Sequence, residues 1–184
     1  MIGEDFPALL TAAQSGSEAA FATLWRDGNH ALLRYLRVAA PAAAEDVAAE
    51  TWVQVVRGLA GFRGDERAWR SWLFTIARHR AMDERRRRSR HPATPLDELP
   101  QASEPRTRDA AAAALANLAA GELIGAIQRL PPAQAEVILL RVLADLDNET
   151  VAQIVGRSPG AVRVAAHRGL RTLAQTLSAI GVTR

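Results

Sequence analysis

Residues 148–173 read NETVAQIVGRSPGAVRVAAHRGLRTL. Counting Asn148 as position 1, Ala152 falls at position 5, Gly156 at 9 and Val162 at 15, the spacing of a helix-turn-helix. Each position has a mechanical reason. A small Ala152 lets two helix backbones approach, Gly156 supplies the left-handed residue that ends the first helix, and Val162 pins the second helix on it. Ser158 offers an N-cap and Pro159 occupies the first helical position. Along the second helix, Val162, Ala166, Leu170, Leu173 and Leu177 are expected to face inward, leaving Ala161, Arg163, Val164, His167, Arg168 and Arg171 outward. With Ser158, these form the candidate DNA-reading set, because the start of such a helix enters the major groove, where Arg reads guanine edges or holds phosphate. A helical hairpin with a solvated basic face has the same periodicity. Five Arg and no acid between 150 and 184 favour DNA.

Charge alternates along the rest of the chain. Residues 1–60 carry 4 Arg against 7 acids, 61–90 carry 10 against 4, and 91–149 carry 4 against 9, so the net +3 of the 184 residues conceals two basic zones. That asymmetry suits a protein touching a polyanion at two places. All 23 positive residues are Arg, which suits bidentate phosphate contacts but is also what GC-rich coding yields. There is no Cys, hence no disulfide framework, thiolate metal site or cysteine nucleophile, which fits a reducing cytoplasm. The N-terminus lacks a basic leader, and no apolar run reaches the roughly 18 residues of a membrane span. A cytoplasmic protein with no membrane insertion is expected.

Few aromatics, abundant Ala and no convincing alternating β-branched run predict an all-α fold. Gly16-Ser17 should cap a long helix carrying Phe21, Leu24, Trp25, Leu32, Tyr35 and Leu36 on one stripe. A second helix should follow Pro41, with Glu45 and Asp46 at its start and Val47, Thr51, Val55 and Leu59 inward. After a short glycine-flanked loop, Trp69, Trp72, Leu73, Ile76 and Ala77 mark a third. From Ser89 to about Glu104, Pro92, Pro95 and Pro100 interrupt a stretch without periodicity. The expected organisation is therefore two small helical domains, 1–90 and 107–184, joined by a flexible Pro-rich linker over 91–106, the second domain bearing the helix-turn-helix.

The basic zone near residue 80 is less specific by itself, since Arg also complements a helix C-terminus. Its neighbourhood adds meaning: Phe62, Trp69 and Trp72 beside a basic helical face is a combination that stacks and holds unpaired bases. Core packing is the favoured role for Trp72 and Ile76; for Phe62 and Trp69 the sequence leaves both roles open.

Taken in order, Ala44-Glu45-Asp46-Val47-Ala48-Ala49-Glu50-Thr51-Trp52, then Phe62, then Trp72-Leu73-Phe74-Thr75-Ile76-Ala77-Arg78-His79 with Asp83 and Arg85-Arg86, a Pro-rich linker, Leu130-Pro131 and Gly160-Ala161-Val162-Arg163 resemble a bacterial extracytoplasmic-function sigma factor over nearly the whole chain. The resemblance implies a first domain that docks on the β′ clamp of RNA polymerase core through Asp46, Glu50 and Gln54. It further implies melting of the −10 promoter element with Phe62, Arg63, Arg67, Arg70, Arg78, His79, Arg85 and Arg86, one non-template base being flipped from the stack. The second domain would sit on the β flap and read the −35 element, and the linker acids Asp97, Glu98 and Glu104, with Asp109 just beyond them, would run through the polymerase. An anti-sigma factor is the further partner that the resemblance implies. His79 stands where the family usually has Asn, Ala49 where it has Gln, Ala135 where it has Arg, Thr150 where it has Glu, and Ala161 and Val164 where it has Thr and Ser. Readout of the upstream duplex would then lean on shape and on Arg163, His167 and Arg168.

Little points to an enzyme. There is no phosphate-binding glycine loop, and His30, His79, His91 and His167 are scattered without metal-ligand spacing. Adjacent acids such as Asp83-Glu84 diverge on a helix. No catalytic residue, metal or cofactor is expected. The alternative function is a free-standing helix-turn-helix regulator with an N-terminal protein- or ligand-binding domain.

Overall fold

The computed structural model describes residues 2–90 and 121–180, and every regular element among them is helical. The expected linker and residues 107–120 lie outside the described residues. A 3-10 turn at Gly3–Asp5 leads into α1 (Phe6–Gln14), followed by α2 (Glu18–Ala39), α3 (Ala44–Leu59) and α4 (Glu66–Arg90). The second half comprises α5 (121–128), α6 (Pro132–Val142), α7 (Asn148–Val155) and α8 (Pro159–Ile180). Helix α1 is an element that sequence periodicity did not announce; it buries Phe6, Leu10 and Ala13.

Local signals account for the starts of the longer helices. Ser17 is extended, and its hydroxyl oxygen accepts a hydrogen bond from the Ala20 N–H at 3.3 Å, satisfying one free donor of α2. Pro41 breaks the chain, and α3 restarts with Glu45 and Asp46 in its first turn, where carboxylates suit the positive end of the helix dipole. Asp65 accepts from the Ala68 N–H at 2.8 Å at the head of α4. Helices α2, α3 and α4 then converge on Leu24, Leu32, Leu36, Val47, Val55, Leu73 and Ala77, all buried. Tyr35 meets Phe74 edge-on, with ring centroids 5.5 Å apart.

Trp25 departs from the expected core stripe. It is 40% exposed because the indole of Trp52 fills the interior position, its ring nitrogen donating to Asn29 Oδ1 at 2.9 Å. In α8 the inward stripe runs through Val162, Gly169 and Leu173, while Leu170, expected inside, is 50% exposed. The reason is steric: a Cβ on Gly169 would lie 2.5 Å from Ile138 Cδ1, so α6 approaches α8 at a residue without a side chain, one position before the leucine.

The two halves touch. Helix α6 lies against α2 and α7 against α4. Gln128 Nε2 donates to the Arg37 carbonyl at 2.9 Å, Arg78 Nε donates to Glu136 Oε1 at 2.8 Å, and Arg67 pairs with Asp147. Among the described residues no helix is long and apolar enough to cross a membrane.

Candidate nucleic-acid interface

Two surfaces carry the candidate residues. The first is the connection between α3 and α4. Turn hydrogen bonds from the Gly61 N–H to Gly58 and from the Phe62 N–H to Leu59, each 3.1 Å, fold this segment back on itself. Phe62 lies half-buried over Trp72, the rings stacked at 5.0 Å and 24°, and meets Trp69 edge-on at 5.5 Å. Trp69 is 2% exposed and also contacts Phe6, which makes it core; Phe62 and Trp72 keep an accessible edge. The sequence left Phe62 and Trp69 open, and burial separates them.

Gln14 of α1 ties this connection down, its Nε2 donating to the carbonyls of Leu59 and Phe62 at 2.9 and 2.8 Å. Arg63 is exposed and donates back to the carbonyls of Ala60 and Phe62. Arg70 is turned inward, bonded to Asp27 at 2.8 Å and Glu66 at 3.2 Å, with its side chain only 13% exposed. Burial pushes the Glu66 carboxyl up, but the Gly3 and Ile2 N–H groups and the Arg70 guanidinium outweigh it and hold the group below its usual range.

Farther along α4, Arg78 is held by Glu136 while His79, Arg85 and Arg86 are exposed. Glu136 also faces Tyr35; burial first, and then this carboxylate, push the Tyr35 hydroxyl far above its ordinary value. The Arg block at the end of α4 divides. Glu84, almost buried, accepts from Arg88 and Arg87, which hold its carboxyl low, and Arg88 Nη2 reaches the Ala42 carbonyl at 2.6 Å. Asp46 and Glu50 are exposed along α3; Gln54 is half-buried, its Oε1 accepting from Arg80 Nη2 at 3.3 Å. Glu50, Arg80, Asp83, Glu84, Arg87 and Arg90 line one shallow cleft of mixed charge.

The second surface is the helix-turn-helix. Asp147 caps α7, its carboxylate accepting from the Thr150 N–H at 2.7 Å; that bond is the main reason its acidity is strengthened. Gly156 adopts φ 67° and ψ 40°, the left-handed conformation that ends α7. The Arg157 N–H then bonds back to the Ala152 carbonyl at 3.0 Å. Ser158 Oγ accepts from the Ala161 N–H at 3.2 Å, and Val162 is fully buried. Ser158, Ala161, Arg163, Val164, His167, Arg168 and Arg171 are all exposed, and the three Arg make no ion pair with another described residue. No group of three His, Asp or Glu among the described residues could hold a metal ion.

Both halves of the chain match known families. Residues 23–91 match the Sigma-70 region 2 family and residues 120–173 match Sigma-70, region 4. The ECF RNA polymerase sigma factor SigD of Mycobacterium tuberculosis is 30% identical over 189 residues, covering 98% of this chain and 88% of the relative. The chain belongs to the extracytoplasmic-function sigma factors. BldN of Streptomyces coelicolor, another ECF sigma factor, is 32% identical over 171 residues; the match spans 92% of this chain but 64% of the longer BldN. In fold, the sigma factor is similar to RpoE of Bartonella quintana, solved in complex with the anti-sigma factor NepR, with a TM-score of 0.64 at 20% identity over 89% of this chain and 98% of RpoE.

The region 2 match begins inside α2, so α1 and Gln14 precede it. Gln14, Asp27, Glu66, Glu136 and Asp147 are the site-bracing residues that sequence reasoning missed. Their partners lie 80 to 43 residues away in four of the pairs, from Arg67–Asp147 to Arg70–Asp27, and no local pattern marks such contacts.

Proposed function

We propose that this sigma factor binds RNA polymerase core and directs initiation at promoters carrying a −35 duplex element and a −10 element that must be melted. The division is 1–90 for core binding and strand opening, 91–106 for the linker, and 107–184 for duplex reading. Asp46, Glu50 and Gln54 on α3 form the clamp-docking face. Phe62, with its accessible edge over Trp72, stacks an unpaired base, while Arg63, Arg67, His79, Arg85 and Arg86 attract the backbone. Arg70 acts from beneath by bracing Asp27 and Glu66. Helix α8 reads the upstream duplex with Arg163, His167, Arg168 and Arg171, with Ser158, Ala161 and Val164 fitting the groove wall, and the second half rests on the β flap.

The observation that carries this reading is the pairing, in one chain, of an unneutralised basic recognition helix with a second basic surface that holds a stacked aromatic at its edge. Neither surface is a reaction centre. The protein is a non-enzymatic initiation factor without a cofactor, working in the cytoplasm where core polymerase is. An anti-sigma protein, the class of partner that RpoE holds in its solved complex, is expected as its antagonist.

Closure of the two halves fits this role. Arg67 and Arg78 are paired with Asp147 and Glu136. Engagement of an opened strand exchanges those carboxylates for phosphates, so the halves must part as DNA is loaded. The test is addition of the purified protein to core polymerase with promoter DNA. Co-purification with core and start-site-specific transcripts support the reading; failure to bind core, with tight binding to duplex by the protein alone, identifies a free-standing regulator instead.

A further inference from the structure

We propose that Gln14 is a positioning residue for strand capture, and that residues 2–14 form a strap holding the 59–66 connection in its base-receiving shape. This rests on the reading of that connection as the element that takes an unpaired base. Its two key carbonyls, Leu59 at the end of α3 and Phe62 in the loop, both accept from the single amide nitrogen of Gln14. Both N–H bonds of that nitrogen are thereby used. The Leu59 carbonyl also accepts from the Phe62 N–H and the Phe62 carbonyl from Arg63, both bonds local to the connection; Gln14 is the donor that ties both carbonyls to another helix and so holds the segment from which the Phe62 ring projects.

The strap is anchored at its other end as well. The Ile2 and Gly3 N–H groups donate to the Glu66 carboxylate at 3.0 and 2.9 Å, and Phe6 contacts Trp69 at 6.3 Å between ring centroids. Residues 2–14 therefore grip the connection at the end of α3 and at the start of α4. Residues 60, 61, 63, 64 and 65 are exposed, so the outer side stays free for a ligand. A loop ordered only on binding loses affinity to the entropy of ordering, and a preorganised one does not. The strap supplies that order without touching the base.

The test compares wild type with Gln14→Glu and Gln14→Met, each of nearly unchanged length and without the N–H donors, and with Phe62→Ala. Each full-length protein is assembled with core polymerase. Three affinities are measured: for core, for the −35 duplex, and for a single-stranded oligonucleotide carrying the non-template −10 sequence of a promoter found by transcript mapping. Both Gln14 variants should bind the single strand roughly five- to ten-fold more weakly, with core and −35 affinities unchanged. Gln14→Met serves if the carboxylate of Gln14→Glu prevents folding. Single-strand binding at the wild-type level, or an equal loss in all three affinities, overturns the inference. Phe62→Ala separates the two levels: it should lose roughly five- to a hundred-fold on the single strand, and if it loses nothing, the reading of the connection itself is wrong.

Discussion

Arg78 and Glu136, 58 residues apart in sequence, meet at 2.8 Å across the boundary between the two halves. The arginine belongs to the proposed strand-opening face and the glutamate to α6, the helix that packs against the helix-turn-helix. Their side chains are 18% and 28% exposed, so solvent screens the pair only in part. Glu136→Ala should widen the distance between the halves, read by energy transfer between dyes on α2 and α8, and leave Arg78 free to bind single-stranded DNA more tightly at low salt. A double-mutant cycle with Arg78→Ala should give a coupling of about 0.5–2 kcal/mol.

Asp147 has two duties, capping α7 and pairing with Arg67. Asp147→Ala should lose about 1 kcal/mol of stability as a missing cap. Asp147→Asn keeps an acceptor for the Thr150 N–H and should recover most of it while still releasing Arg67. Chemical denaturation of the two variants distinguishes them.

Carboxyl groups held low in the folded state set the acid limit. Both Glu66 and Asp147 fall in this class. Such groups bind more protons unfolded than folded, so their stabilisation is complete above the unfolded value, about pH 4.5 or below, and is lost as pH falls through the folded value. Melting temperature should therefore fall as pH is lowered below the ordinary carboxylate range, and that of Glu66→Gln should fall less steeply.

Gly169→Ala should destabilise the helix-turn-helix by about 1–3 kcal/mol, because its methyl would meet Ile138 Cδ1 at 2.5 Å. Leu170→Ala should change stability by less than about 0.5 kcal/mol. Calorimetry of both variants tests the register of α8.

That register shows how far the sequence could be read. Gly156, Ser158 and Val162 act through their immediate neighbours, and their spacing was sufficient to place the turn and cap. Helical spacing and apolar character place Leu170 inward, but the facing residue of α6 decides which position must be small, and that is a tertiary fact. The same limit separates Phe62 from Trp69: both are aromatic in a basic neighbourhood, and burial of Trp69, completed by Phe6 arriving from α1, is a tertiary fact. The resemblance places Arg70 among the −10 contacts, whereas Asp27 and Glu66 draw it inward.

Phe62→Ala and Trp69→Ala should accordingly differ in kind. Trp69→Ala empties a fully enclosed site and should cost about 3–5 kcal/mol of stability. Phe62→Ala should leave the fold largely intact and impair promoter opening, measured by 2-aminopurine fluorescence in the −10 strand.

Arg163→Ala or Arg168→Ala should weaken −35 duplex recognition by roughly 1–3 kcal/mol if a base contact is lost. Transcription from a pre-melted template should stay close to wild type, since α8 lies outside the proposed strand-opening face.

The most direct measurement supplies core RNA polymerase with genomic DNA fragments, with and without this protein, and maps transcript 5′ ends. Start sites that appear only with the protein, and that share one fixed-spacing pair of upstream elements, are the expected result. An unchanged start-site map, with no association between protein and core, contradicts it.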